Sequence, residues 1–189
     1  MRNIDLKNMH EHYLAFIDLE TTGLVPAMHE IIEIGYLIVD QADLRVVKQH
    51  VIQVKPVHVK TADPEALRVI HYEKRDWSAA VDLAAAMKRF SRDVEGCIMV
   101  GQNITVDWAF IRAALSQLEM PDPMHYHRLD IMSMAFALLH DDGFFKKFSL
   151  HELTEFFSLK IKNVHTAADD IQATFEVYKK LLTYRRKLR

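Results

Sequence analysis

The sequence predicts an α/β fold in which a mixed sheet carries helices on both faces. Three observations predict it. Three runs rich in apolar and β-branched residues come first, segments of strand and helix period alternate after them, and only five glycines and five prolines punctuate the 189 residues. A chain of this length makes about one domain and buries roughly 70% of its unfolded surface without disulfides. The expected organisation is a single domain over residues 1–189, with residues 1–12 as an N-terminal extension and residues 184–189 as a basic tail.

Each element has its own signal. Tyr13 to Leu19 is an apolar run expected to form a buried strand, and Glu20-Thr21-Thr22-Gly23 turns the chain out of it. Ile31 to Asp40 and Val46 to Val54 are β-branched and joined by Gln41-Ala42-Asp43-Leu44, the pattern of an antiparallel hairpin that Pro56 ends. Asp63-Pro64 sets a cap before a proline at the first helical position and opens a short helix toward His71. Ser78 is expected to cap a longer helix to about Val94, after which Gly96 precedes the buried strand run Cys97 to Val100. A helix follows from about Val106 to Leu118, closed by Pro121 and Pro123, and a short strand is expected over His125 to Leu129. Ile131, Met134, Ala135 and Leu138 then recur at helical spacing. Ser149-Leu150-His151-Glu152 is a capping box for a helix carrying Leu150, Leu153 and Phe157. The last helix starts at Thr166 and sets Ile171, Phe175, Tyr178 and Leu182 on one face.

Composition narrows the function. Lys plus Arg number 24 against 26 for Asp plus Glu, a net charge of −2, which excludes a bulk electrostatic grip on nucleic acid but not a local one. The single cysteine, Cys97, has no partner for an internal disulfide and reads as a small buried hydrophobe in a reducing setting. No apolar run reaches the ~18 residues of a membrane span, and Met1 to His12 is too polar for a signal peptide. The expectation is a cytoplasmic protein without a membrane partner.

Acids stand where apolar residues belong. Strand alternation places Leu14, Phe16, Asp18 and Glu20 on one face, so two carboxylates share the buried side of the first strand. Asp107 is followed by Ile111, Ala114 and Leu118, and Asp170 by Thr174, Val177 and Leu181, so both lead inward stripes at helix starts. Asp169 instead leads Ala173, Glu176 and Lys180 and sits three residues after Thr166, as the partner in a second capping box. Taken singly, each inward acid has an ordinary explanation, a solvated strand end or a first-turn aspartate favoured by the helix dipole. Taken together they need a counter-charge, because two like charges 4 Å apart repel by about 4 kcal/mol at an effective dielectric of 20. Without cysteine and with little histidine, such a donor set selects Mg²⁺ or Mn²⁺.

Three segments resemble a known family. Phe16-Ile17-Asp18-Leu19-Glu20-Thr21-Thr22-Gly23-Leu24, then Gly101-Gln102-Asn103 with Asp107, then His165-x-Ala167-x-x-Asp170, are similar to the three motifs of the DEDD exonucleases in their DEDDh branch, the branch of proofreading exonucleases, ribonuclease T and oligoribonuclease. The resemblance runs from about Tyr13 to Leu182. It implies a ribonuclease-H-like mixed sheet, three antiparallel strands first and parallel additions after. It also implies two divalent cations, Mg²⁺ or Mn²⁺, and release of nucleoside 5′-monophosphates from a nucleic-acid 3′ end. On this resemblance Asp18 would bridge both ions, Glu20 and Asp170 would complete one site, Asp107 would hold the other partly through water, and His165 would be the general base. By position alone His165 reads as a surface histidine before a helix; its spacing to Asp170 marks it otherwise.

The same resemblance assigns Thr21, Gly23 and Leu24 to the turn that receives the terminal nucleotide, His71 to a place near that nucleotide, and Asn103 to support of substrate or turn. Tyr72 stands where the family usually has glycine, Gln102 where histidine is common and Val106 where phenylalanine is common, departures that touch substrate fit. The expected activity is 3′→5′ exonuclease action on single-stranded or frayed ends, DNA slightly favoured over RNA. The alternatives are an RNA-trimming or short-oligonucleotide exoribonuclease, and a proofreading module that works beside a polymerase or other replication or repair partner. Arg185, Arg186, Lys187 and Arg189 read as a solvated helix end, and the pairs His10/His12 and His125/His127 as surface and strand positions. Phe144-Phe145-Lys146-Lys147-Phe148 fits either base stacking or packing onto the core.

Overall fold

The apolar run at the start of the chain becomes β1 (Leu14–Thr21), the middle strand of a five-stranded sheet in the computed structural model, which describes residues 8–160 and 166–187. β2 (Ile31–Val39) pairs with it antiparallel, and β3 (Val46–Gln53) closes the expected hairpin. On the other side β4 (Ile98–Gly101) and β5 (Arg128–Asp130) are added in parallel, giving the order β3-β2-β1-β4-β5. Three antiparallel strands followed by parallel additions is the sheet that the sequence predicts.

Alternation on β1 and β2 divides the core in two. Ala15, Ile17, Ile34 and Tyr36 pack against Met87 and Phe90 of α2 (Leu83–Asp93) and Ile111 of α3 (Thr105–Gln117). Leu14, Phe16 and Leu37 pack against α4 (Ile131–Leu139), α5 (Leu150–Phe156) and α6 (Ala167–Lys187), with Phe16 meeting Phe175 at 5.1 Å and Tyr178 at 5.4 Å between ring centroids. The remaining helix, α1 (Pro64–Val69), is capped by Asp63, whose side chain accepts from the Glu65 amide at 2.8 Å. Ser149 and Glu152 form the expected capping box at α5. Cys97 is buried, and burial pushes its thiol up to about 11. Among the described residues no helix is long and apolar enough to cross a membrane.

Two boundaries differ from expectation. α2 is capped by Asp82, which accepts from the Ala85 amide at 2.7 Å, and not by Ser78. Val81 is held extended first: its amide donates to Gln53 O at 3.0 Å and its carbonyl accepts from the Lys55 amide at 2.8 Å, so the helix waits for the next cap. β5 begins at Arg128 rather than His125. The His125 amide still donates across to Cys97 O at 2.9 Å, but its Nδ1 accepts from the His127 amide at 3.2 Å, and regular pairing with β4 starts only at Arg128. The aromatic run divides as well: Phe145 and Phe148 stack at 4.6 Å and pack on the core, while Phe144 stays 42% exposed.

α6 reaches the sheet at Gly35. A Cβ there would stand 2.8 Å from Ala167 Cβ and 2.9 Å from its carbonyl oxygen, so the first turn of α6 rests on bare backbone. That contact sets the distance between α6 and the end of β1.

Candidate active site

The apolar cover of β1 runs out after Ile17, and the residues that follow, Asp18 to Thr21, are only partly buried. Asp18 and Glu20 share the face of Phe16, which is the face toward α6. Across the strand pair Asp18 is opposite Gly35 and Glu20 opposite Glu33. The first turn of α6 sorts its two acids. Thr166 donates its hydroxyl hydrogen to Asp169 Oδ2 at 2.8 Å and accepts from the Asp169 amide at 3.2 Å, so Asp169 is spent on the cap. Asp170, one residue on, brings a carboxylate oxygen into a group with those of Asp18 and Glu20, all within 4.8 Å of one another. Asp107 arrives from the first turn of α3, 9% exposed, and its Oδ1 accepts from the Leu19 amide at 3.0 Å, between the two acids of β1. It stands outside that three-carboxylate group but is close enough to raise the Asp18 carboxyl.

Crowding shows in the protonation. Burial, then the charges of Asp107, Glu20, Asp170 and Glu33, hold the Asp18 carboxyl well above the ordinary range. Burial and the charges of Asp170 and Glu33 push Glu20 up to about 8, against the pull of Arg75. Burial pushes Asp107 up to about 7 even though the Leu19 amide favours its ionised form. Converging acids with all-oxygen donors and raised carboxyls fit a hard divalent cation, whose charge would offset the repulsion.

A pH dependence follows. A carboxyl whose folded-state value is raised contributes stability that is full below its unfolded value and is lost as the pH rises through the folded one. Glu20 moves from 4.5 to about 8 and Asp107 from 3.8 to about 7, so the metal-free protein is expected to lose melting temperature between pH 6.5 and 8. Asp93, held down at about 2, and His50, shifted below 6.5, act with the opposite sign only at lower pH. Calorimetry in chelator checks this; a melting temperature that rises across the window contradicts it, and saturating Mg²⁺ or Mn²⁺ is expected to flatten the fall.

Beside the acids the chain builds a cavity of about 330 Å³. Its rim is the turn after β1, where Thr21 Oγ1 donates to Gly23 O at 2.7 Å and Gly23 takes a φ of +154°. A Cβ at Gly23 would meet the His29 ring at 2.6 Å, and the His29 Nδ1 accepts from the Val25 amide at 3.0 Å. The turn leaves Leu24 78% exposed at the mouth, so Thr21, Gly23 and Leu24 all line the cavity with Glu20 and Asp107.

The other expected residues fall elsewhere. His71 is exposed, has a φ of 52°, and lines a separate cavity with Pro64, Arg68 and Tyr72. Asn103 is exposed, and its amide donates to Asp130 Oδ1 at 2.8 Å. His165 lies outside the described residues. The cavity's far wall is Glu65, Ala66, Val69 and Phe110, none of them expected from the sequence although the first three follow the i, i+1, i+4 spacing of one helix face. Glu33, 1% exposed and paired with Arg75, is likewise unexpected, although an acid inside Ile31-Ile32-Glu33-Ile34 is a visible anomaly.

Comparison with known proteins bears on the same region. The model of the RNase_T family, described as exonuclease, matches residues 15–178. The chain is 26% identical over 181 residues to the DNA polymerase III subunit epsilon of Treponema pallidum, covering 95% of this chain and 81% of that one. It is also 26% identical over 168 residues to the PolC-type DNA polymerase III of Caldanaerobacter subterraneus subsp. tengcongensis, where the match covers 87% of this chain and 11% of the relative. Among solved structures, E. coli exonuclease I in complex with a dT13 oligonucleotide superposes with a TM-score of 0.78 at 22% identity, over 94% of this chain and 42% of that one. The cell-death related nuclease CRN-4 superposes with a TM-score of 0.74 at 17% identity, over 90% and 64% of the two chains. The mixed sheet is therefore the ribonuclease-H-like fold of these nucleases.

Proposed function

We propose, from the premise that this chain belongs to the RNase_T exonuclease family, that it is a 3′→5′ exonuclease releasing nucleoside 5′-monophosphates from single-stranded or frayed ends, with DNA ahead of RNA. The observation that carries the proposal is the meeting of Asp18, Glu20 and Asp170 beside a cavity of nucleotide size. Family membership and this acidic group together imply dependence on a divalent metal. In the proposed site Asp18, Glu20 and Asp170 would hold one divalent ion, Mg²⁺ or Mn²⁺, and Asp107 with Asp18 would hold a second. Such a pair, when bound, neutralises phosphate charge and lowers the pKa of a coordinated water.

The chain's own residues supply the rest. The turn Thr21 to Leu24 and the side chain of Phe110 receive the terminal nucleoside, apolar surface against the base and backbone polar groups toward the sugar. His165, the base the family resemblance implies, would take the proton of the attacking water, imidazole being the side chain suited to proton transfer near neutral pH. The net charge of −2 fits an enzyme that holds an end rather than a long stretch of backbone.

Preference for single-stranded DNA draws support from the exonuclease I structure, solved with an oligonucleotide. A proofreading module beside a polymerase is the second reading, favoured by the epsilon subunit and the PolC-type relative. Action in the cytoplasm accords with either. The test is hydrolysis of DNA and RNA oligomers, free or blocked at the 3′ end, with Mg²⁺, Mn²⁺ or chelator. Mononucleotides from free DNA ends, only with metal, are the expected result. Faster cleavage of RNA supports an RNA-trimming enzyme, and cleavage only with a polymerase present supports the module. Equal cleavage of blocked ends overturns the proposal.

A further inference from the structure

We infer that Glu33 and Arg75 form a positioning pair that seats the first turn of α6, and with it Asp170, against β1. Glu33 is 1% exposed and lies on the β2 face that carries Gly35 and Leu37 toward α6. One carboxylate oxygen pairs with Arg75, and the other accepts from the amide of Ala167, the first residue of α6, at 3.2 Å. Ala167 precedes Asp170 by three residues, about 4.5 Å of helix rise. Two β2 residues thus fix one helix start. Gly35 sets how closely it approaches, and Glu33 sets where it is tied.

A buried ion pair is weak evidence of stability in itself, since apolar residues often replace one without loss. The cost is higher here, because the Glu33 charge adds to the repulsion that raises both Asp18 and Glu20. What the pair provides that apolar residues cannot is a fixed acceptor for the Ala167 amide, with its charge offset from the far side. Arg75 is itself held: its guanidinium lies 5.0 Å over the Trp77 ring, and Trp77 stacks on Tyr72 at 4.7 Å and donates from Nε1 to Tyr72 O at 2.8 Å. The segment carrying His71 and Tyr72 is thereby fastened to the helix that presents Asp170.

The inference rests on the proposed metal site, so its test has one readout that needs no metal. Amide exchange at Ala167, Asp169 and Asp170 in the chelated protein reports the helix start, and Mn²⁺ titration followed by electron paramagnetic resonance reports the site. Arg75→Met leaves Glu33 buried and unpaired; it is expected to speed exchange at these amides at least tenfold and to weaken Mn²⁺ binding about tenfold. The double variant Glu33→Gln/Arg75→Met is expected to recover most of both losses, because the glutamine carbonyl still accepts from Ala167 and no charge is left alone. If Arg75→Met does not fold, Arg75→Lys and the double variant carry the comparison, with exchange near that of the unsubstituted protein expected in both. Unchanged exchange in Arg75→Met, or no recovery in the double variant, overturns the pair. Faster exchange with unchanged Mn²⁺ affinity overturns the link to Asp170. Failure of the unsubstituted protein to bind Mn²⁺ sinks the metal site, while exchange still decides the pair.

Discussion

Asp18→Asn is expected to abolish nuclease activity, by about a thousandfold or more, while raising the melting temperature of the metal-free protein. The two effects have one cause. Asp18 is the acid on which the charges of Asp107, Glu20, Asp170 and Glu33 all bear. A cation held there would offset those charges and would supply several kcal/mol in the transition state, each 1.36 kcal/mol being tenfold in rate. Asparagine keeps the size and removes the charge. Each kcal/mol of repulsion relieved appears as about 2–4 °C in melting temperature for a chain of this length. Turnover of a labelled oligonucleotide in Mn²⁺ and calorimetry in chelator measure the pair of effects. Activity within tenfold of the unsubstituted protein contradicts the site, and a lower melting temperature contradicts the electrostatic account.

Gly35→Ala is expected to be the most damaging of the single-methyl changes on the sheet. The new Cβ would stand 2.8 Å from Ala167 Cβ and 2.9 Å from its carbonyl oxygen, and backbone cannot swing aside as a flexible side chain can. Overpacking of this kind costs about 1–3 kcal/mol. Relief comes by moving the first turn of α6 away from β2, which carries Asp170 away from Asp18 and Glu20. A displacement of about 1 Å at a reacting centre can cost about a hundredfold in rate. Gly143→Ala is the control, since a Cβ there meets nothing within 4 Å. Denaturant unfolding and turnover of both variants decide the matter, and a Gly35→Ala protein as active as the Gly143→Ala protein removes the role given to this contact.

What was legible in the sequence was whatever a single segment encodes by itself. β1, β2 and β3 were read within a few residues because β-branched runs bounded by turn residues have few other uses. Asp18, Glu20, Asp107 and Asp170 stood out because alternation and helical spacing put each on an apolar stripe, and the split between Asp169 and Asp170 came from spacing alone. What escaped depended on partners distant in the chain. Ser78 was a plausible cap until Val81 was engaged by Gln53 and Lys55, a pairing that helix signals cannot show. The His125 segment has strand composition, but one ring nitrogen captures the His127 amide. Glu33 was visible as an acid in an apolar run, yet its meaning lies in Arg75, 42 residues on, and Ala167, 134 residues on. The far wall of the cavity comes from α1 and α3, which only the fold brings to the turn at Gly23.

The most direct test of the central claim is anomalous scattering from a crystal of the protein soaked in Mn²⁺. The account predicts manganese between the carboxylates of Asp18, Glu20 and Asp170, at an occupancy that collapses in Asp18→Asn. Fully soaked crystals with no manganese among these three side chains, or with manganese there undiminished in Asp18→Asn, contradict it.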